Sequence, residues 1–300
     1  MMEHLHKSNT PTCAMTVDVE EYFQVAAFLD QIKVDSWEGY ESRVVAVTRR
    51  ILAMFARHDV KATFFTLGWV AKRHPDLIKE IVAHGHELAS HGFYHQKVTE
   101  QSYGDFKQDL KSAKALLEDI SGQQILGYRA PSFSICEKNP WAFDALMETG
   151  HIYSSSTYPV NHDHYGAPTW PCTPHMTKQG ILELPQATAD VLGRRLPVGG
   201  GGYFRLMPYW LGKKLINRFH EQHDHPYIFY FHPWEIDPEQ PRIEGANLKS
   251  RFRHYVNLSR MEGKIEQLSQ DYNWVSVAEA YGLTSHFKVT ENGAHVAQGI

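Results

Sequence analysis

Short runs rich in Val, Phe, Tyr and Thr alternate along this chain with segments whose apolar residues recur at helical intervals, and that alternation limits the fold more than any other feature. CAMTVDVEEYF, from Cys13, opens the series as a buried strand whose carboxylates emerge at its C-terminal end. The helical pattern VVAVTRRILAMF (Val44 to Phe55) leads to a second strand, VKATFFTLG. A helix started by Pro75, PDLIKEIVAHG, ends at Gly85 and leads into a third strand, HELASH. Further on, Tyr103 to Ile120 is helical in period, ILGYRAP is a strand, and Trp141 to Thr149 is a helix stopped by Gly150. HIYSSS and ILELP read as strands, Pro208 to Phe219 as a helix, and YIFYFH as an apolar strand ending on His232. A helix from Leu258 to Gln270 precedes the closing strand NWVSV and then AEAYG. Strands that alternate with helices predict an α/β fold built on a parallel sheet.

Composition narrows the class of function. The 300 residues carry a formal net charge of -4 with no long basic run, so nucleic acid is a poor partner. No apolar stretch is long enough to span a membrane, and the start, MMEHLHKSNTPTC, lacks the apolar core of a secretory signal. Three scattered cysteines without a CxxC fit a reducing compartment, so the expectation is cytoplasmic. VGGGGYF (Val198 to Phe204) lacks the context of a phosphate-binding loop and reads as a tight loop between elements.

The polar residues fall in one kind of place. Asp18 and Glu20 follow the first strand, His91 and His95 the third, Arg129 ends the fourth, and His232 ends the late strand. The C-terminal ends of parallel barrel strands gather on one face, where active sites of such folds lie. Two carboxylates, three imidazoles and a guanidinium would thus share a rim. His91 and His95 stand four residues apart, an interval at which one helical turn would point both at a shared divalent metal. With 19 histidines in the chain, chance pairs are common, and the shared position of the other residues is what gives this pair weight. The pairs His162/His164 and His223/His225 read as loop residues.

The segments TVDVEEYF, ATFFTLG, HGHELASHGFYH, YRAPSFSI, GGGGYFRLMPY, YFHPWEID and RFRHYVNL resemble those of polysaccharide deacetylases, the NodB-homology or family 4 carbohydrate esterases. More closely they resemble the deacetylase-like proteins of exosortase-linked exopolysaccharide clusters in Gram-negative bacteria. The resemblance runs from about Thr16 to Gly282 and implies a distorted (β/α) barrel with fewer than eight regular strands. It implies one barrel domain over residues 12–284, with a subgroup-specific part from about 150 to 284, between tails at 1–11 and 285–300.

By that resemblance Asp18 is the catalytic base, and Glu20, His91 and His95 hold one divalent metal, most often Zn2+. The family's first motif usually reads TFDDG; here it reads TVDVE, Val19 stands at the second-Asp position, and the swapped assignment with Asp18 on the metal stays open. Arg129 orients and charge-pairs the base, the Ser132 N–H faces the oxyanion, and His232 is the general acid. The Asp that often tethers this histidine has no counterpart, since the segment usually written YDSS reads YSSS (Tyr153 to Ser156).

These residue types suit amide hydrolysis. A metal on two His and a carboxylate keeps positions open for water and acyl oxygen, a carboxylate takes the water's proton, and an imidazolium protonates the departing amine. Tyr22, Phe23, Phe93, Tyr94, Phe133 and Trp234 flank the expected rim, where flat faces suit sugar rings, although core packing accounts for about half of such positions. The expected activity is removal of N-acetyl groups from an amino sugar of a polysaccharide or a lipid-linked precursor in exopolysaccharide biosynthesis. The expected partner is that glycan, met with transient contact at the cytoplasmic membrane face. A non-sugar amide hydrolase and a non-catalytic glycan-binding barrel are the alternatives.

Overall fold

A computed structural model describes residues 11–160, 166–289 and 295–297. The expected N-terminal tail, except Pro11, and the pair His162/His164 lie outside the described residues. The chain opens with β1 (Thr12–Val19), α1 (Val44–Arg57), β2 (Thr63–Thr66), α2 (Gly68–Arg73), α3 (Pro75–Ala83), β3 (Glu87–Ser90) and α4 (Tyr103–Ser121). It continues through β4 (Gly127–Tyr128), α5 (Ala142–Glu148), β5 (Tyr153–Ser154), β6 (His175–Met176), β7 (Leu182–Glu183), β8 (Thr188–Val191) and β9 (Arg194–Pro197). The last part comprises α6 (Gly201–Leu206), α7 (Tyr209–Gln222), β10 (Tyr227–Phe231), α8 (Leu248–Tyr255), α9 (Leu258–Asp271), β11 (Asn273–Val275), α10 (Val277–Ala280), β12 (Phe287–Val289) and β13 (His295–Ala297).

One sheet organises the molecule in the order β10-β1-β2-β3-β4-β5-β7-β6, with β11 also on β1. All its pairings are parallel except β6 with β7. The sheet curls into a half-barrel, an α/β architecture of the distorted (β/α) type. β1 is its axis: β10 runs along one edge, while the other is shared by β11 at Thr12–Ala14 and β2 at Thr16–Val19. Seven of the eight β1 residues are buried, which suits a strand covered on both faces.

Local chemistry sets the helix ends. Pro75 starts α3, the Ser102 hydroxyl accepts the Asp105 N–H at the start of α4, and Gly122 stops α4 with φ 68°. Apolar faces of α1, α3 and α9 pack with β1, β2 and β10 into the main core, around Ile51, Phe55, Phe64, Ile78, Phe229, Phe231 and Ile265. No helix among the described residues is long and apolar enough to cross a membrane.

Three expectations change. ILGYRAP keeps only Gly127–Tyr128 as strand, because beyond Arg129 the ladder is taken over by side chains. The Ala130 N–H donates to Ser156 Oγ, and the Ser156 and Thr157 N–H groups donate to Glu183 Oε1. The glycine run is not a simple loop, since Gly201 opens α6 and Gly200 bridges to Tyr230. A Cβ on Gly200 would stand 2.5 Å from the Tyr230 hydroxyl, and one on Gly201 2.5 Å from Glu235 Oε1, so these glycines permit close approach. The C-terminal segment expected as a tail contains the antiparallel pair β12–β13.

Candidate active site

Asp18 is the seventh residue of β1 and Glu20 follows the strand directly. Period-two alternation puts these two carboxylates on one face and sends Val19, fully buried, to the other. Thus Glu20, not the residue next to Asp18, shares its face. Arg129, also fully buried, donates from one guanidinium nitrogen to Asp18 Oδ1 at 2.6 Å and to Thr16 Oγ1 at 2.8 Å. Its other nitrogens donate to the Ser155 carbonyl and hydroxyl, both at 3.2 Å, and the guanidinium lies 4.1 Å from the Phe65 ring centroid. The Ser155–Thr157 segment, anchored by Glu183, is therefore a cradle for this arginine.

His91 and His95 follow β3, but not on a helical turn. Gly92 adopts φ 76° and His95 φ 53°, so the chain loops back and the two rings meet across it at 5.4 Å. The Phe93 N–H is held by both Asp109 carboxylate oxygens, and the carbonyls of Gly92 and Phe93 accept the first N–H groups of α2. That short helix, absent from the sequence reading, fastens the loop.

Glu20, His91 and His95 form the only group among the described residues able to hold a metal ion with three His, Cys, Asp or Glu ligands, their ligand atoms lying within 4.8 Å of one another. Three observations fit them to a cation. Glu20 Oε2 stands 2.8 Å from His95 Nε2 and 4.0 Å from His91 Nε2, yet is buried without a hydrogen-bond partner. The His91 Nδ1–H donates to the Arg129 carbonyl at 2.8 Å, leaving the Nε2 lone pair towards Glu20. Burial, outweighing Asp18 and Glu20, pushes the His91 pKa down to about 4, so the ring is neutral, as a ligand must be. Burial alone would raise the Glu20 carboxyl, but His95, His232 and His91 together hold it well below the usual carboxylate range. Asp18 is engaged instead by Arg129.

His232 follows β10, its Nε2 3.9 Å from Asp18 Oδ2 and 3.7 Å from Glu20 Oε1. Its Nδ1–H donates to Glu235 Oε1 at 2.8 Å, and the same oxygen accepts the His232 backbone N–H at 3.1 Å. Burial lowers the imidazole's pKa, yet Glu20 and Glu235 raise it further, to about 9. Arg205 of α6 donates to Glu235 Oε2 at 2.7 Å, and both are almost wholly buried. Burial would raise the Glu235 pKa, but Arg205 and His232 bring it below the usual value. A tether for this histidine is therefore present, one turn beyond it and not in YSSS. Glu235 and Arg205 were missed, although each stands in a quoted segment, YFHPWEID and GGGGYFRL. Gly201 leaves room for the carboxylate in this pairing, a fit that shows only in the folded structure.

Asp18, Glu20, His91, His95, Ser132 and His232 all line one cavity of about 300 Å3, whose other walls include Val25, Ala27, Phe133, Trp234, Lys249 and Arg253. Ser132 stands there with φ 55°, a left-handed backbone that breaks the turn after Pro131. Of the six aromatics expected at the rim, Phe133 and Trp234 line the cavity, and Trp234 Nε1 donates to Glu20 Oε1 at 3.0 Å. Tyr22 and Phe23 are instead core residues, packed among Trp37, Tyr40 and Trp69. Phe93 packs against Tyr94 with the rings tilted by 49°, and neither lines the cavity. His223 and His225 gather around Phe219 at the end of α7, outside any metal-holding group among the described residues.

Two family models match the chain: "Polysaccharide deacetylase" over residues 35–178 and "Domain of unknown function (DUF3473)" over residues 155–282. An uncharacterised 30.6 kDa protein of Geobacillus stearothermophilus is 34% identical over 120 residues, 40% of this chain and 44% of that protein. The peptidoglycan-N-acetylglucosamine deacetylase PgdA of Listeria monocytogenes is 39% identical over 74 residues, 24% of this chain and 16% of that one. The chitooligosaccharide deacetylase of Rhizobium leguminosarum is 39% identical over 87 residues, 28% and 40% of the respective chains. The matches thus span less than half the length of these relatives. Among solved structures, a putative polysaccharide deacetylase of Mycobacterium smegmatis superposes with TM-score 0.57 at 20% identity, covering 97% of this chain and 94% of that one. The Bc1960 peptidoglycan N-acetylglucosamine deacetylase does so with TM-score 0.50 at 14% identity, covering 91% and 88%. At such identities they speak for the fold alone. The hydrogen-bonded series His232–Glu235–Arg205 lies wholly in the second matched region.

Proposed function

Because the chain carries a polysaccharide deacetylase domain, we propose that it is a metal-dependent hydrolase removing N-acetyl groups from an amino sugar of a polysaccharide or its lipid-linked precursor. The observation that carries this reading is the convergence, in one cavity, of the Glu20–His91–His95 group, the Arg129–Asp18 ion pair and the Glu235-tethered His232. The relatives named for deacetylation of peptidoglycan and chitooligosaccharides support the substrate class.

Glu20, His91 and His95 would hold the metal, zinc by family habit; bound there, it supplies Lewis-acid polarisation of the acetamide carbonyl and a more acidic water. Asp18, fixed by Arg129, takes the proton of the attacking water. The Ser132 N–H, on its left-handed turn, donates to the developing oxyanion, a contact typically worth roughly 3–4 kcal/mol. His232, protonated near neutrality, gives its proton to the amine as the C–N bond breaks, and Glu235 keeps the ring's other nitrogen occupied. Residues 12–284 act as one barrel unit, the part from about 150 supplying the acid and its tether.

The setting in exopolysaccharide biosynthesis rests on the subgroup resemblance of GGGGYFRL and FHPWEID. A cytoplasmic location is supported by three free cysteines. Glu20 and Glu235 fill the two places where the sequence departed from the family pattern, which weakens the case for a barrel that only binds glycan. The test is acetate release from N-acetylated oligosaccharides by the wild type and Asp18→Asn. Release should stop with a chelator, return with zinc, and fall about a hundredfold or more in kcat in the variant. Metal-loaded protein that releases no acetate from any N-acetylated glycan would overturn the proposal.

A further inference from the structure

The two carboxylate oxygens of Glu20 have different surroundings. Oε2 faces His95 and His91 and is buried with no hydrogen-bond partner. Oε1 accepts the Trp234 indole N–H at 3.0 Å and lies 3.7 Å from His232 Nε2. A half-buried indole needs an acceptor, and any oxygen of the cavity wall would satisfy it. The choice of this oxygen adds a direction. With Oε1 occupied, the carboxylate presents a single oxygen, Oε2, to the two imidazoles. A glutamate also has one more rotatable bond than an aspartate, so as a metal ligand it gains more from such a restraint.

Trp234 is itself held firmly. Its ring stacks with His232 at 5.0 Å and 20° and with His254 at 4.3 Å and 16°, and the Arg205 guanidinium lies 5.4 Å from it. The Gln240 side-chain amide donates to the Trp234 carbonyl at 2.7 Å, and Gln240 Oε1 lies 2.6 Å from His254 Nε2. An indole already stacked with two imidazoles serves the wall of the cavity more than it serves as a platform for sugar. Its backbone belongs to the turn Pro233–Ile236 in the second matched region, whereas Glu20 follows β1 outside both regions. The region of unknown function thus reaches a ligand that the first strand supplies.

Resting on the deacetylase reading and its metal, we infer that Trp234 is a positioning residue: its N–H fixes Glu20 so that Oε2 alone binds the divalent cation, and its ring ties that ligand to the His232 imidazole. The test measures zinc dissociation constants by competition with a chromogenic chelator, and visible spectra of the Co2+-loaded protein, for wild type and Trp234→Phe. Phe keeps an aromatic ring beside the imidazoles and removes the donor. Zinc should bind about tenfold to a hundredfold more weakly in the variant. Released from the indole, Glu20 can turn both oxygens to the metal, so the Co2+ band should lose intensity as the coordination number rises. Urea unfolding of the metal-free proteins shows that both start folded, which keeps lost stability out of the comparison. Trp234→Tyr, which also lacks the N–H, takes the place of the Phe variant if that one does not fold. Zinc affinity within about threefold of wild type, or an unchanged Co2+ spectrum, would overturn the role of Trp234 alone. A wild type without zinc affinity would overturn the metal-dependent reading and this inference with it.

Discussion

Glu235 does at residue scale what the expected Asp would have done, from a different place. It accepts two hydrogen bonds from His232 and one from Arg205 while almost wholly excluded from water. Glu235→Gln keeps an acceptor near Nδ1 but removes the charge that faces both cations. With His232 as the proposed general acid, the variant's kcat should fall about tenfold or more while KM moves less than about threefold, because the ring's orientation and proton would then matter mainly at leaving-group departure. Steady-state kinetics on the best glycan checks this; an unchanged kcat would leave Glu235 a purely structural buried acid. Truncation to Ala is the poorer test, since a buried Arg205 left without its carboxylate costs about 3–5 kcal/mol of stability.

At the scale of elements, the long periodic segments were readable, as were the places of the short strands β5, β7 and β11, whereas the short helices α2 and α6 were not. β1, β2, β3, β10, α1, α3, α4, α7 and α9 follow from apolar period and from stops such as Pro75 and Gly122, because burial of one face determines them. α2 and α6 are six residues each, too short to display a period, and exist through contacts: α2 receives the Gly92 and Phe93 carbonyls, and α6 brings Arg205 to Glu235. The same limit applies to the site. Asp18, Glu20, His91, His95, Arg129 and His232 were legible because strand ends place them together, and Ser132 only through the family resemblance. The Arg205–Glu235 pair spans 30 residues and depends on how Gly201 packs, which no local pattern encodes. The looped path from His91 to His95 was hidden likewise, since the interval suits a helix and only Gly92 hinted otherwise.

The described residues are built round one nine-stranded curled sheet, beside two two-stranded ones, and the late strands β10 and β11 flank its first strand; Asp18 and Glu20 lie outside both matched regions, which share the rest of the site. The molecule's buried histidines also give the fold a pH dependence. Burial pushes His86 and His151 each down to about 3, against about 6.5 in an unfolded chain. Below pH 6.5 the unfolded chain takes up protons that the fold refuses. The stability these groups hold above that value is therefore lost as pH falls towards 3. Between pH 7 and 5 each group should account for a loss of about 2 kcal/mol. Urea unfolding across that interval should show a shallower decline in His151→Gln than in the wild type; identical slopes would mean that His151 takes up its proton within the fold.

Metal binding by Glu20, His91 and His95 underlies the proposed mechanism, and its most direct test is the metal content of protein purified without chelator, wild type beside His95→Ala. About one zinc per wild-type chain is expected, and its loss in the variant. Wild type that holds no metal, even after zinc is added and the excess removed, would contradict it.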